Sequence, residues 1–206
     1  MVWLDQMEQI SYYANIVGFA IVIVTWFVFA GTFLLRKQPE TTMDKTRAPK
    51  SWFGLILQCL SFPLVWMVRR TPLFSPVVEG QYVLNLILQI LAVIIAITSV
   101  WLAMAAIKEL GKQWSLAARL VEDHQLITTG VYQTVRHPIY TAMLGMLIAT
   151  GLAYSNWIAL VVSVIVFIVG TKIRTNLEEG LLRDAFGKEF EDWKAKVPGL
   201  IPFVKI

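Results

Sequence analysis

Five apolar runs constrain the fold of this chain more than any other feature. They cover residues 14–35, 52–68, 82–107, 139–153 and 157–170. A helix of about 20 apolar residues is long enough to cross the hydrocarbon core of a bilayer. Charged residues make up only 16% of the 206 residues, whereas they make up about 25% of a soluble domain. We therefore predict an all-α, polytopic integral membrane protein with about five transmembrane helices and a cofactor pocket at its cytosolic face.

The last two runs are short and closely spaced, which predicts a helical hairpin. Pro138 stands at the start of the first run, and proline is favoured in the first turn of a helix. The second helix is expected to continue beyond residue 170, through Arg174 and Glu178, past the membrane surface. We divide the chain into an N-terminal three-helix membrane part, 1–107, and a C-terminal core, 108–206.

The polar segment between the third and fourth runs, 108–138, is predicted to lie outside the membrane. Within it, residues 114–123 are expected to form a short amphipathic helix at the interface. Five basic residues occupy 36–50, while residues 1–13 contain none. Because basic loops favour the cytosolic side, we place the N-terminus outside and the C-terminus in the cytosol. Arg69 and Arg70 fall on the outer side and oppose this assignment.

The composition argues against several classes of site. The net charge of +4 without a dense Lys/Arg run fits contact with lipid head groups better than nucleic-acid binding. Cys59 is the single cysteine, so neither a disulfide framework nor a thiolate metal site is expected. No third strong ligand accompanies the two histidines, and no metal is predicted. Glycine-rich dinucleotide and phosphate motifs do not occur, so a cofactor would bind in a helical, membrane-embedded pocket.

Polar side chains nevertheless collect at the two ends of the predicted hairpin. His137 precedes the helix start, where free N–H groups and the helix dipole attract anions. His124 and His137 would then flank a bound anion, or they would only cap and hydrogen-bond at the interface. Arg174 and Glu178 share one helix face and would form either a weak surface pair or part of a site. Charged side chains near a membrane are costly unless they face protein or water, which favours the second interpretation, a site.

Several stretches of the C-terminal half together resemble a known family. They are 124–132 (His-Gln-Leu-Ile-Thr-Thr-Gly-Val-Tyr), 136–140 (Arg-His-Pro-Ile-Tyr), Arg174 with Glu178 and Glu179, 186–190 (Phe-Gly-Lys-Glu-Phe) and 197–202 (Val-Pro-Gly-Leu-Ile-Pro). In this order the chain resembles the isoprenylcysteine carboxyl methyltransferase family of integral membrane enzymes, from about residue 108 onward. The first two apolar runs carry no part of the resemblance.

The resemblance implies S-adenosyl-L-methionine as methyl donor and a lipophilic or prenylated acceptor, whose carboxylate would be methylated. By the same resemblance, the predicted donor-binding residues are His124, Gln125, Leu126, Ile127, Gly130, Tyr132, Arg136, His137 and Tyr140. The predicted catalytic residues, beside the acceptor, are Arg174, Glu178 and Glu179. Ile127 stands where the family usually has valine, which is a conservative change.

Other functions stay open on the sequence alone. The superfamily resemblance extends to phospholipid N-methyltransferases, in which a glutamate would face an amine acceptor, and a small-thiol S-methyltransferase is a further alternative. Sterol-reductase-like enzymes that use NADPH resemble this chain less, because they carry Arg-His-x-Asn-Tyr where residues 136–140 read Arg-His-Pro-Ile-Tyr. A non-enzymatic membrane scaffold would bind no donor at all.

Overall fold

A computed structural model of the chain describes residues 2–35, 44–47, 51–115, 119–121, 125–202 and 204. Within these residues the fold is helical. Its helices are α1 (Val2–Leu34), α2 (Ser51–Met67), α3 (Tyr82–Leu110), α4 (Pro138–Ala153), α5 (Trp157–Phe186) and α6 (Lys188–Lys196), and its strands are β1 (Asp44–Arg47) and β2 (Arg119–Val121). Short 3₁₀ turns follow α3 and precede α4.

Among the described residues, three helices have the length and apolar composition needed to cross a membrane: α1, α3 and α5. Large apolar side chains cover their outer faces; Phe27 on α1 and Trp101 on α3, for example, are 76% and 63% exposed. The prediction of a helical membrane protein is confirmed at this level. Helices α2 and α4 have 17 and 16 residues, shorter than the usual span, so the count of about five transmembrane helices stays a prediction.

The short helix α4 lies at the centre of the bundle and contacts α1, α2, α3 and α5. Met146 and Ala149 pack in one core cluster with α1 and α3, while Leu144 and Leu147 pack in a second cluster with α2 and α5. Small residues permit this close approach; a Cβ at Gly145 would lie 2.1 Å from the Ser99 hydroxyl of α3. The middle of α4 is therefore surrounded by the other helices.

The predicted hairpin is confirmed. Helix α4 begins at Pro138, and α5 follows it after a short turn. The side chain of Asn156 caps α5 by accepting a hydrogen bond from the Ile158 N–H at 2.8 Å, as Asn at this position favours. Because α5 continues to Phe186, it carries Arg174, Glu178 and Glu179 beyond the apolar run that ends near residue 170.

Arg70, whose charge opposed the topology prediction, caps the other end of α4. Its guanidinium donates to the carbonyl oxygens of Leu152 at 3.0 Å and Ala153 at 2.7 Å. A cation at a helix C-terminus is favourable because the last carbonyl groups have no partner within the helix. Burial lowers the pKa of Arg70 to about 10, which keeps it charged near neutral pH. Arg70 therefore has a structural reason to lie at this end of the bundle.

The predicted amphipathic helix over 114–123 is wrong at 119–121, which form β2. This strand pairs antiparallel with β1, with Arg47 opposite Arg119, Thr46 opposite Leu120 and Asp44 opposite Val121 across an irregular register. The backbone hydrogen bonds come from a segment far away in the sequence, which the local pattern of apolar residues cannot reveal. The pairing places both segments at one end of the bundle; the side of the membrane on which this end lies stays a prediction.

Helices α2 and α5 touch backbone to backbone where two glycines face each other. A Cβ at Gly170 would lie 2.7 Å from the Gly54 carbonyl oxygen and 2.8 Å from the Leu57 Cβ. Replacing Gly170 by alanine should push the helices apart and lower the free energy of unfolding by about 2 kcal/mol, measured by denaturation in detergent. The control is Gly180→Ala on the same helix, where a Cβ meets nothing within 4 Å. Equal stability of the two variants would contradict the proposed backbone contact.

Candidate functional site

A cavity of about 200 Å³ lies at the N-terminal end of α4, among α1, α2, α3, α5 and α6. Most of the predicted site residues line it. They are Gln125, Leu126, Ile127, Tyr132, Arg136, His137, Tyr140, Arg174 and Glu178. Residues of both predicted parts of the chain form its walls, since Phe33 of α1 and Leu55 of α2 are also present.

Three of the predicted site residues do not appear in this lining. His124 lies outside the described residues. Gly130 begins the 3₁₀ turn that carries Tyr132, with a φ of +56° that favours glycine. A Cβ at Gly130 would also lie 2.9 Å from the Glu109 carboxyl group, so the structure gives it a backbone role. Glu179 turns away from the cavity.

Tyr140, Arg174 and Glu178 form a hydrogen-bonded cluster on the cavity wall. The Arg174 Nε donates to the Tyr140 hydroxyl at 2.8 Å, and this hydroxyl donates to Glu178 Oε1. Arg174 Nη2 lies 3.4 Å from the same carboxylate oxygen. Only 4% of Arg174 is exposed, so its i,i+4 pair with Glu178 is not a solvated surface pair. A buried cation and a carboxylate therefore stand side by side at the cavity.

Glu179 is the centre of a separate ion-pair network behind this wall. Its carboxylate lies 2.8 Å from Arg136 Nη2, 2.6 Å from Lys194 Nζ and 3.1 Å from His137 Nε2. Successive residues of a helix point about 100° apart, which explains why two adjacent glutamates face different partners. The sequence left open which glutamate faces inward; the structure places Glu178 at the cavity and Glu179 in the network.

His137 connects the two clusters. It precedes α4, and its Nε2 faces Glu179 while its Nδ1 lies 3.7 Å from Glu178 Oε2. Its ring stacks on Tyr140 with centroids 5.8 Å apart. The predicted anion site at this helix start, flanked by the two histidines, stays a prediction, because His124 lies outside the described residues. His137 itself faces two carboxylates of the chain, those of Glu178 and Glu179. His137 is thus suited to hold Tyr140 and Glu178 in position.

The C-terminal tail closes the site from the outside. Backbone N–H groups of Arg136 and His137 donate to the carbonyl oxygens of Pro198 at 2.9 Å and Gly199 at 3.0 Å. The Arg136 guanidinium also donates to the Val197 carbonyl. These bonds provide acceptors for the N–H groups of the buried Arg136, whose burial without hydrogen bonds would be costly in free energy. The residues after α6 are therefore part of the site's framework.

Tyr132 contributes a buried phenol to the cavity wall. Its carbonyl oxygen accepts a hydrogen bond from the Trp193 indole at 3.3 Å. Burial, together with the nearby Glu178 and Glu109 carboxylates, raises the pKa of Tyr132 well above its ordinary value. The hydroxyl stays protonated at physiological pH and is available as a donor.

Sequence reasoning missed a second group of lining residues, most of which lie outside the motifs. They are Phe33, Leu55, Gln58, Leu110, Gln113, Trp114, Ser115, Met143, Leu181, Leu182 and Trp193, together with Pro138 and Ile139 of the motif itself. One signal was available, because Gln58 is a polar residue within an apolar run and such residues tend to be functional. Gln113 belongs to no motif of the resemblance. Its side-chain oxygen accepts a hydrogen bond from the Gln125 N–H at 2.6 Å and so holds Gln125 in place.

Comparisons with known proteins assign the chain to a family. The sequence pattern of the phospholipid methyltransferase family matches residues 87–189, half of the chain, including Arg136, His137, Tyr140, Arg174 and Glu178. The chain belongs to this family. It is 26% identical over 159 residues to the protein-S-isoprenylcysteine O-methyltransferase of Schizosaccharomyces pombe. It is 34% identical over 86 residues to protein-S-isoprenylcysteine O-methyltransferase B of Arabidopsis thaliana, and 37% identical over 82 residues to the Saccharomyces cerevisiae enzyme.

These relatives confirm the resemblance to isoprenylcysteine carboxyl methyltransferases. The alignments cover 74%, 42% and 40% of this chain and 59%, 44% and 34% of the S. pombe, A. thaliana and S. cerevisiae proteins, respectively. The chain therefore spans about half the length of the relatives that it matches. The family match does not include α1, α2 or Trp193, although these also contribute to the cavity wall.

Proposed function

We propose that the protein is a membrane-embedded methyltransferase that uses S-adenosyl-L-methionine and methylates the carboxylate of a prenylcysteine-like or other lipophilic acceptor. The observation that carries the proposal is the buried Arg174 beside Glu178 on one cavity wall. A cationic donor and an anionic acceptor each meet an opposite charge there. The relatives' names and the family match support the same reaction class.

The cavity residues fit the proposed donor in both charge and polarity. The donor carries a positively charged sulfonium, and the Glu178 carboxylate is an anion at the cavity wall. Apolar and aromatic side chains, among them Leu126, Ile127 and Trp193, offer surface for the nucleoside part. Gln125 is exposed and marks the end of the cavity through which a water-soluble donor enters.

Arg174 is proposed to orient the acceptor carboxylate. When bound, the donor supplies an electrophilic methyl group, whose transfer yields a neutral ester and a neutral thioether. Arg174 fixes the carboxylate for in-line attack, and positioning of this kind supplies much of the rate enhancement. Because charge disappears during the reaction, the buried walls around Tyr140 favour it by excluding water.

The acceptor's apolar chain is proposed to enter from the bilayer between α1 and α2. The cavity extends to Phe33 on α1 and Leu55 on α2. Nearer the middle of the bundle these helices meet through aromatic rings, with Trp26 and Phe62 centroids 5.2 Å apart. We further propose that the site opens to the cytosolic face, where positively charged loops are expected.

A phospholipid N-methyltransferase is the second candidate. The matched family is described as phospholipid methyltransferase, and the Glu178 carboxylate at the cavity would face an amine nitrogen. Arg174 argues for the carboxylate acceptor, since a buried guanidinium would repel a protonated amine but attract an anion.

Binding of S-adenosyl-L-methionine and NADPH to the purified full chain in detergent, measured side by side by calorimetry, tests the proposal. We expect the methyl donor alone to bind, and His137→Ala to weaken its binding about 10-fold, because His137 lines the cavity and its ring stacks on Tyr140. Donor affinity unchanged by His137→Ala would contradict the site assignment. Binding of NADPH alone would favour the reductase alternative, and binding of neither would favour a scaffold.

A further inference from the structure

A glutamine on α2, in the cavity wall, has a buried carbonyl oxygen without a hydrogen-bond partner among the described residues. Gln58 is fully buried and lines the cavity wall. Its Nε2 donates to the Thr171 hydroxyl at 2.8 Å, whereas its Oε1 accepts no hydrogen bond from any residue that the structure describes. Buried polar atoms almost always have a partner, so an unpaired carbonyl at a ligand cavity indicates a partner supplied by the ligand.

The other unpaired buried atoms differ in their location. They belong to Arg70, Gln89 and Ser163, and none of these residues lines the cavity. Gln89 is the nearest counterpart of Gln58, because it also donates through Nε2, to the Leu152 carbonyl at 3.0 Å, and leaves its Oε1 unpaired. Among the residues that the structure describes, only Gln58 combines the unpaired oxygen with a place in the cavity wall.

Gln58 bonds to α5 about one helical turn before the proposed carboxylate-binding residue, Arg174. Its partner Thr171 precedes Arg174 by three residues, or about 4.5 Å along α5. Gly54, one turn before Gln58 on α2, packs on the Arg174 side chain, since a Cβ there would lie 2.7 Å from the Arg174 Cγ. The α2–α5 contact thus places Gln58 and Arg174 near each other on the cavity wall.

We propose that the Gln58 carbonyl oxygen accepts a hydrogen bond from an N–H group that the acceptor carries beside its methylated carboxylate. This inference rests on the proposed function. A cysteine at the end of a peptide carries an amide N–H on the carbon next to its carboxylate, whereas a simple fatty acid does not. An acceptor without the N–H leaves Oε1 unpaired in the complex and is discriminated against. Gln58 is thereby a specificity-determining residue for peptide-like acceptors.

Two synthetic acceptors that differ in one group test the proposal. One is S-farnesyl-N-acetylcysteine, and the other has an ester oxygen in place of the amide N–H. We expect the wild-type full chain in detergent to bind the amide about 10-fold more tightly, the usual scale for one hydrogen bond. Gln58→Leu should bind both with equal affinity, and Thr171→Val, which frees the amide group of Gln58, should reduce the preference. Gln89→Leu, the matched control away from the cavity, should keep the full preference.

Equal binding of the two acceptors by wild type would overturn the proposal, as would failure to bind either one. A preference that survives in Gln58→Leu would also overturn it. If Gln58→Leu does not fold, judged by its melting temperature in detergent, Thr171→Val decides instead, and an undiminished preference in that variant overturns the proposal. Methyl transfer from labelled donor is measured separately, so a failure of the proposed function is distinguished from a failure of this binding preference.

Discussion

Replacing Arg174 by alanine should reduce methyl transfer by about 1000-fold while donor affinity stays within about threefold of wild type. The guanidinium is buried and bonded to Tyr140 and Glu178, so its loss leaves the Glu178 carboxylate without its neighbouring cation. An anionic acceptor would then meet a negative wall instead of an oriented partner. Turnover with labelled donor and calorimetric donor binding measure the two effects separately.

Arg183→Ala is the matched control for this prediction. Arg183 lies on the same helix, but it is half-exposed and pairs with the half-exposed Glu191 at 2.5 Å. Such surface pairs contribute little, so turnover should match wild type. Arg174→Lys keeps the charge but lacks the planar fork that binds a carboxylate through two bonds, and we expect an intermediate rate. Equal loss of donor binding and turnover in Arg174→Ala would contradict the acceptor role.

Replacing Glu179 by alanine should lower the free energy of unfolding by about 3 kcal/mol. Glu179 pairs with Arg136, His137 and Lys194, and its removal leaves the buried Arg136 without a counter-ion. Because Arg136 also binds the tail, we expect loss of donor binding together with loss of stability. Denaturation in detergent and calorimetry of the same preparation measure both.

The matched control here is Glu191→Ala, which removes the exposed partner of Arg183 and should change the stability by less than about 0.5 kcal/mol. Glu178→Gln supplies the second comparison. This variant changes the cavity wall but leaves the Glu179 network intact, so it should reduce turnover with little loss of stability. A stable Glu179→Ala variant with normal donor binding would show that the network does not support the site.

Much of the fold follows from local sequence. The apolar runs predicted the helices because run length and composition are properties of one segment. The hairpin followed from two short runs with Pro138 at the start of the first and Ser155 and Asn156 between them. The local pattern of apolar residues predicted a helix at 119–121, which was wrong because these residues form a strand by pairing with β1. No property of residues 114–123 alone indicates a partner so far away in the chain.

The candidate site was likewise predictable from the sequence only in part. The sequence by itself determined which polar residues are available near the ends of the hairpin, and the resemblance grouped them, because motif spacing is readable along one chain. Only the tertiary structure decided that Glu178 lines the cavity while Glu179 holds Arg136 and Lys194. It also brought Gln58 of α2 to the same wall. The physical reason is that the partner of each side chain depends on how helices pack, and packing joins residues whose separation in sequence carries no local signal.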